Sequence, residues 1–195
     1  MMNKNIQKLI SDIATKCIQN RINLRLEYVD QVDQENIPCS GYFDEETLAV
    51  ATKKEKMQDW LDILVHESCH LDQFLEGPSV WVPDKDSLFI VEDWVQGKNL
   101  SRKTLEKGFK NAISLELDCE KRTVVKMQKY KIRFNKKQYI QKANSYLFSY
   151  TYAFLNRTWY PKPYENPKIY NNMPTKFLTV DQYFDISSKY FQYYL

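Results

Sequence analysis

Residues 52–78 read TKKEKMQDWLDILVHESCHLDQFLEGP. Thr52 and Glu55 have the spacing of a capping box, in which a Thr hydroxyl and a Glu carboxylate satisfy free backbone N–H groups at a helix start. At the far end Gly77 can take the left-handed terminal conformation and Pro78 cannot extend the turn. A long helix is therefore predicted between them. Met57, Trp60, Leu61, Leu64, Leu71 and Leu75 recur at helical spacing as its apolar stripe. His66 and His70 point roughly 130° from the centre of that stripe at about 100° per residue, which predicts that they line a cleft.

These are the only two histidines in 195 residues. Two histidines scattered at random fall four apart about 1% of the time, and a Glu directly after the first occurs in roughly 6% of those cases. The pattern His66-Glu67-Ser68-Cys69-His70, HExxH, is thus a signal with a mechanism. Residues four apart on a helix share a face, so both imidazoles can converge on one metal ion while Glu67 reaches a water that the ion activates. A hydrolytic zinc site takes three protein ligands and keeps one position open for water. With no third histidine, the remaining ligand must be a carboxylate or a thiolate.

Ser101 opens a second long predicted helix, running to about Lys129, which contains Glu116-Leu117-Asp118-Cys119-Glu120. Phe109, Ile113, Val124 and Met127 mark its apolar face. Glu116 and Glu120 project into the middle of that face, within about 20° of Phe109 and Met127, whereas Asp118 projects away from it. Two carboxylates on a hydrophobic stripe cost several kcal/mol unless paired or metal-bound. Buried salt bridges to Lys or Arg, or a solvated groove between helices, are the structural alternatives.

HExxH followed on a later helix by Glu-x-x-small-Asp/Glu resembles the gluzincin branch of the zinc metallopeptidases, including small phage and bacterial forms. The resemblance covers residues 48–120 and implies a zincin-like fold, Zn2+ bound by His66, His70 and Glu116, and Glu67 as general base. It also implies that Glu120 hydrogen-bonds an imidazole N–H and so fixes its tautomer. This chain has Glu there where Asp is usual in the family. The activity implied is hydrolysis of a peptide bond in a protein or peptide substrate, with the strand Leu48–Thr52 as the edge on which an extended substrate lies. The oxyanion partner would be a Tyr, an Arg or backbone N–H groups. Cys69 and Cys119 occupy positions where such families carry a small residue. Close helix packing is one reading of them, and a redox pair or a thiolate ligand is the other.

The flanking sequence predicts an α+β protein, predominantly helical, with a small antiparallel sheet before the metal-binding helix. Residues 5–20 place Ile6, Leu9, Ile10, Ile13, Cys17 and Ile18 at helical spacing. Ile22, Leu24, Leu26 and Tyr28 alternate with polar residues as a half-buried strand, and two more strands are read at 37–43 and 48–52 around the turn Asp44-Glu45-Glu46. A loop is read at 78–86, and further helices at 88–95, 136–156 and 181–194. One domain over 1–195 is expected, with a core over about 1–130 and a basic, Tyr-rich helical extension over about 131–195.

Composition narrows the setting. Apolar residues make up 43% of the chain and charged residues 27%, as in an ordinary folded domain, and a chain of this length buries about 70% of its unfolded surface. No apolar run is long enough to span a membrane, and residues 1–16 are interrupted by charges as a secretory leader is not, so a cytoplasmic location and no membrane partner are expected. Four widely spaced cysteines without a CxxC pair predict reduced thiols. The net charge of +3 is uneven. Between Lys121 and Tyr164 there are eleven Lys and Arg residues and no Asp or Glu, leaving −8 for the rest. A basic stretch interleaved with Tyr suits a nucleic acid or an acidic partner, and equally describes lysines on the outer faces of helices. This sets out the second reading: a zinc-containing or inactive peptidase that works as a binding protein through residues 121–164. A hydrolase acting on a bond other than the peptide bond is a third.

Overall fold

A computed structural model of the chain describes residues 3–81 and 89–195. The elements are α1 (Lys4–Gln19), β1 (Asn23–Glu27), β2 (Val32–Gln34), β3 (Ile37–Cys39), β4 (Gly41–Phe43), β5 (Thr47–Ala51), α2 (Met57–Glu76), α3 (Pro78–Trp81), α4 (Ile90–Val95), α5 (Arg102–Lys129), α6 (Lys136–Asn156), α7 (Pro167–Tyr170) and α8 (Val180–Tyr183). The class is α+β and predominantly helical, as expected. The part of the 78–86 loop at residues 82–86 lies outside the described residues, as does Leu88. The chain divides into two compact units, Met1–Gly77 with Cys119–Phe134, and Pro78–Asp118 with Asn135–Leu195, so that the division falls within α5.

In the first unit, α1 buries one stripe of Ile6, Leu9, Ile13 and Cys17, and the Asn3 side chain caps its start by accepting from the Asn5 N–H at 2.9 Å. The sheet corrects the antiparallel expectation. Strand order is β1-β5-β4, with β4 antiparallel to β5 but β1 parallel to it, in register Leu24 opposite Leu48 and Leu26 opposite Val50. The parallel pair arises because a separate hairpin, β2 with β3, and then β4 intervene between β1 and β5. The strand read over 37–43 is accordingly broken at Ser40. β5 is the central strand, with Leu48, Ala49, Val50 and Ala51 fully buried, so it is not the sheet edge on which a substrate was expected. The turn Asp44–Glu46 is as read: the Asp44 carboxylate accepts from the N–H groups of Thr47 at 2.7 Å and Glu46 at 3.2 Å, and Glu45 takes φ of +75°.

α2 ends at Glu76, with Gly77 at φ +106°, as its terminator signals predict. Its start differs. Lys56 is the cap and makes no side-chain capping bond, because the Thr52 hydroxyl instead donates to the Glu27 carbonyl at 2.9 Å and ties the end of β5 to β1. β4 lies tightly on α2: a Cβ on Gly41 would stand 2.6 Å from Ile63 Cγ2. α2 therefore has the sheet on one side and the Cys119–Lys129 part of α5 on another. Its buried face widens to include Ser68, Cys69, His70 and Gln73, while Met57 and Leu75 at the ends of the expected stripe are exposed.

The second unit packs Ile90 and Val91 of α4, Leu105, Phe109, Ile113 and Leu117 of α5, and Leu147, Phe148, Tyr150 and Ala153 of α6 against the C-terminal residues Ile169, Met173, Tyr183, Phe191 and Tyr194. The helix expected over 181–194 is replaced by α8 and a 3-10 turn at Phe191–Tyr194. Between them the Asp185 carboxylate accepts from the Ser187 N–H at 2.9 Å, a local turn that competes with the helical ladder.

Candidate metal centre

His66 and His70 stand one turn apart on α2 with their Nε2 atoms 3.2 Å from each other. Two nitrogens bound at about 2.05 Å to a tetrahedral ion stand about 3.3 Å apart, so the pair is already at ligand spacing. Their other ring nitrogens face acceptors. His70 Nδ1 lies 2.8 Å from Oε1 of the fully buried Gln73, and His66 Nδ1 lies 3.5 Å from Oε1 of Glu120. Each acceptor favours the proton on Nδ1 and leaves a lone pair on Nε2. Two imidazole lone pairs directed at one another repel unless a cation or a shared proton lies between them. The donor set therefore fits a metal ion.

Cys119, on α5, adds a sulfur. Its Sγ donates to the His66 carbonyl at 3.3 Å and stands 3.6 Å from His66 Nδ1. One donor atom each from His66, His70 and Cys119 lie within 4.8 Å of one another, and the three could hold a metal ion. Imidazole and thiolate suit zinc and other borderline or soft ions, so the donors alone do not name the metal. The sulfur sits on the Nδ1 edge of His66, the edge away from the facing Nε2 atoms.

The expected site residues are distributed as follows. His66, His70 and Glu120 come together, with Glu120 buried and its Oε1 3.5 Å from His66 Nδ1. Glu67 is half-buried, and burial together with the Glu67 charge pushes the Cys39 thiol up. Glu116, also half-buried, lies one turn before Glu120 on α5 and is counted with the second unit. Sequence reading missed Gln73. Its position three residues after His70 on one helix was the available signal.

Behind the histidines lies a second polar group. The Cys69 thiol is held below its ordinary pKa by the Cys119 side chain, against the effect of burial, and the Lys126 ammonium assists. Lys126 Nζ also donates to Ser68 Oγ at 2.9 Å and pairs with Asp72 at 2.7 Å, and Lys16 pairs with the same carboxylate. Burial pushes the Asp72 carboxyl up, but the two ammonium groups outweigh it and hold it below the usual carboxylate range. A cavity of about 310 Å³ opens beside this group, walled by Leu9, Ile13, Lys16, Leu71, Lys126 and Tyr130 among others, and neither histidine lines it. No helix among the described residues is long and apolar enough to cross a membrane. No protein-family model matches the chain, and no curated protein or solved structure is significantly similar to it.

Proposed function

We propose that the chain is a zinc-dependent metallopeptidase of zincin-like fold, working in a reducing compartment such as the cytoplasm on a protein or peptide substrate. The observation that carries this reading is the pair of Nε2 atoms at 3.2 Å, each imidazole backed at Nδ1 by an acceptor. It is supported by the order His66-Glu67-x-x-His70, which puts a carboxylate beside the first ligand.

His66 and His70 would hold the metal through Nε2. Glu116 is the third ligand implied by the resemblance, and Cys119 is a second candidate because its sulfur stands in the cluster. Zinc bound there would lower the pKa of a water and polarise the scissile carbonyl. Glu67 takes a proton from the attacking water and returns it to the leaving amine. Gln73 and Glu120 keep the two imidazoles in the tautomer that presents Nε2.

Metal content of the purified protein and of two variants tests the assignment. About one zinc per chain is expected in the parent, a loss of most of it in Glu116→Ala, and near-full occupancy in Cys119→Ser. The opposite pattern makes Cys119 the third ligand. A parent chain that binds no zinc at all sinks the proposal.

A second reading, as a polyanion-binding protein, is favoured by one observation. Lys131, Arg133, Lys136 and Lys137 are all exposed within seven consecutive residues that contain no acid.

A further inference from the structure

The cavity of about 310 Å³ lies among α1, α2 and the 122–130 stretch of α5, and every residue that lines it belongs to the first unit. Its size is at the small end of the range of about 300–1,000 Å³ that ligand pockets occupy. The helices line it with residues three and four apart, such as Leu9, Ile13 and Lys16 on α1 and Val125 and Lys129 on α5. Its floor is aliphatic, with Leu9 and Leu71 fully buried and Ile13 nearly so. Val125 stands in the same wall with 64% of its surface in water, so a ligand that filled the cavity would cover it. Cations gather beside this floor. Lys16, Arg122, Lys126 and Lys129 are in the wall, against the two acids Asp12 and Asp72. Arg122 is paired with Glu76, which stands outside the lining. With that pair neutral, three ammonium groups face two carboxylates, and one positive charge in the wall is left for a ligand to match. Lys126 has used its three donors, on the Ser68 carbonyl at 3.0 Å, the Ser68 hydroxyl at 2.9 Å and Asp72 at 2.7 Å. Lys16 shares Asp72, and the Asp12 carboxylate accepts from the Tyr130 hydroxyl at 2.7 Å. Lys129 lies 5.7 Å from the centre of the Tyr130 ring, a contact that leaves ammonium hydrogens to donate elsewhere.

We propose that this cavity binds a small organic monoanion with an aliphatic body, a medium-chain carboxylate. The ligand's carboxylate accepts from Lys129, with Lys16 beside it, and its chain lies on Leu9, Ile13, Leu71 and Val125. The charge in the wall selects the class. A dianion such as a phosphate monoester would bring one negative charge too many against Asp12 and Asp72. A neutral molecule of the same shape would cover the ammonium groups and give them no charge in return. Acetate carries the charge but leaves the aliphatic floor uncovered. This inference goes beyond the peptidase reading and stands without it, because neither histidine lines the cavity.

The test uses the full-length chain with octanoate as the probe. Isothermal titration calorimetry measures its affinity, and amide chemical shifts of the isotope-labelled protein locate it. The expected result is saturable binding of one octanoate per chain, with the shifts centred on the cavity-lining residues of α1, α2 and α5. Octanamide, which has the shape without the charge, and acetate, which has the charge without the chain, are each expected to bind at least about tenfold more weakly. Lys129→Gln and Val125→Asp are each expected to weaken octanoate about tenfold. Both positions are exposed, and circular dichroism checks that the variants fold. Absence of saturable binding up to about 10 mM octanoate, octanamide binding as tightly as octanoate, shifts centred elsewhere, or an affinity unchanged in either folded variant would each overturn the proposal. Zinc content is measured on the same samples. Its absence would count against the metal site alone, because octanoate binding calls on no metal.

Discussion

Glu67 differs from every other carboxylate near the histidines in that it follows His66 directly in sequence, and its proposed work is proton transfer rather than metal binding. Glu67→Gln keeps the shape and removes the basicity. Cleavage of an unfolded protein substrate is expected to fall about 10²- to 10⁴-fold with zinc content unchanged, and cleavage that survives the change would end the mechanism. Asp72 makes a separate prediction, about stability. Its folded pKa is held below the unfolded value of about 3.9, so it contributes stability at neutral pH that is lost as pH falls through the folded pKa. Asp72→Asn leaves the Lys126 and Lys16 ammonium groups without their shared carboxylate. The lysine at position 16 is 43% exposed and water compensates it in part, so the expected cost is about 2 kcal/mol rather than the larger figure for a wholly buried pair. Chemical denaturation at pH 7 measures that cost. The difference between parent and variant should shrink below pH 4, and a constant difference would show that Asp72 does not titrate in that range.

Elements were legible from sequence where a local rule decided them. α2 and α5 follow from periodicity and terminators, and the facing imidazoles follow from the four-residue spacing on one helix. Local rules failed where a distant contact decided. The Thr52 hydroxyl was drawn from its capping role by the Glu27 carbonyl, and β1 pairs parallel to β5 because a hairpin intervenes. Glu116, Cys119 and Glu120 all lie on one helix, and which of them meets His66 depends on how α5 crosses α2, a tertiary fact that no helical wheel contains. Gly108 is a similar case. In mid-helix its replacement by Ala should gain about 1 kcal/mol from propensity. A Cβ at that position, however, would stand 2.4 Å from Ile90 Cγ2 and 2.7 Å from Ile90 Cβ, so α4 could not keep its place on α5. Overpacking of this kind costs about 1–3 kcal/mol, and the net expectation is a lower thermal midpoint for Gly108→Ala. A raised midpoint would mean that α4 yields without cost.

Across the whole chain, the eleven cations between Lys121 and Lys162 do not act as one basic surface. Arg122 pairs with Glu76, Lys126 with Asp72 and Lys162 with Glu165. Lys129 and Lys142 lie over the rings of Tyr130 and Tyr170, and Arg157 over Trp94, at 4.0 Å, while also donating to the Lys98 carbonyl. These charges are engaged within their own units, and the tyrosines that looked like stacking partners include Tyr150, which is buried in a core. The exposed cations at 121, 131, 133, 136 and 137 are what remains to meet a polyanion. Five phosphate contacts give a slope of about −4.5 for log Kobs against log salt on duplex DNA, whereas all eleven would give a slope near −10. Binding of a short duplex across a salt series is therefore expected to be weak, with a slope near the smaller figure. Changing Lys121, Lys131, Arg133, Lys136 and Lys137 together to Gln should abolish it and leave the zinc content alone. A slope near −10, or binding unchanged in that variant, would mean that the ion pairs and ring contacts open on binding, and that the polyanion reading draws on cations the fold has engaged elsewhere.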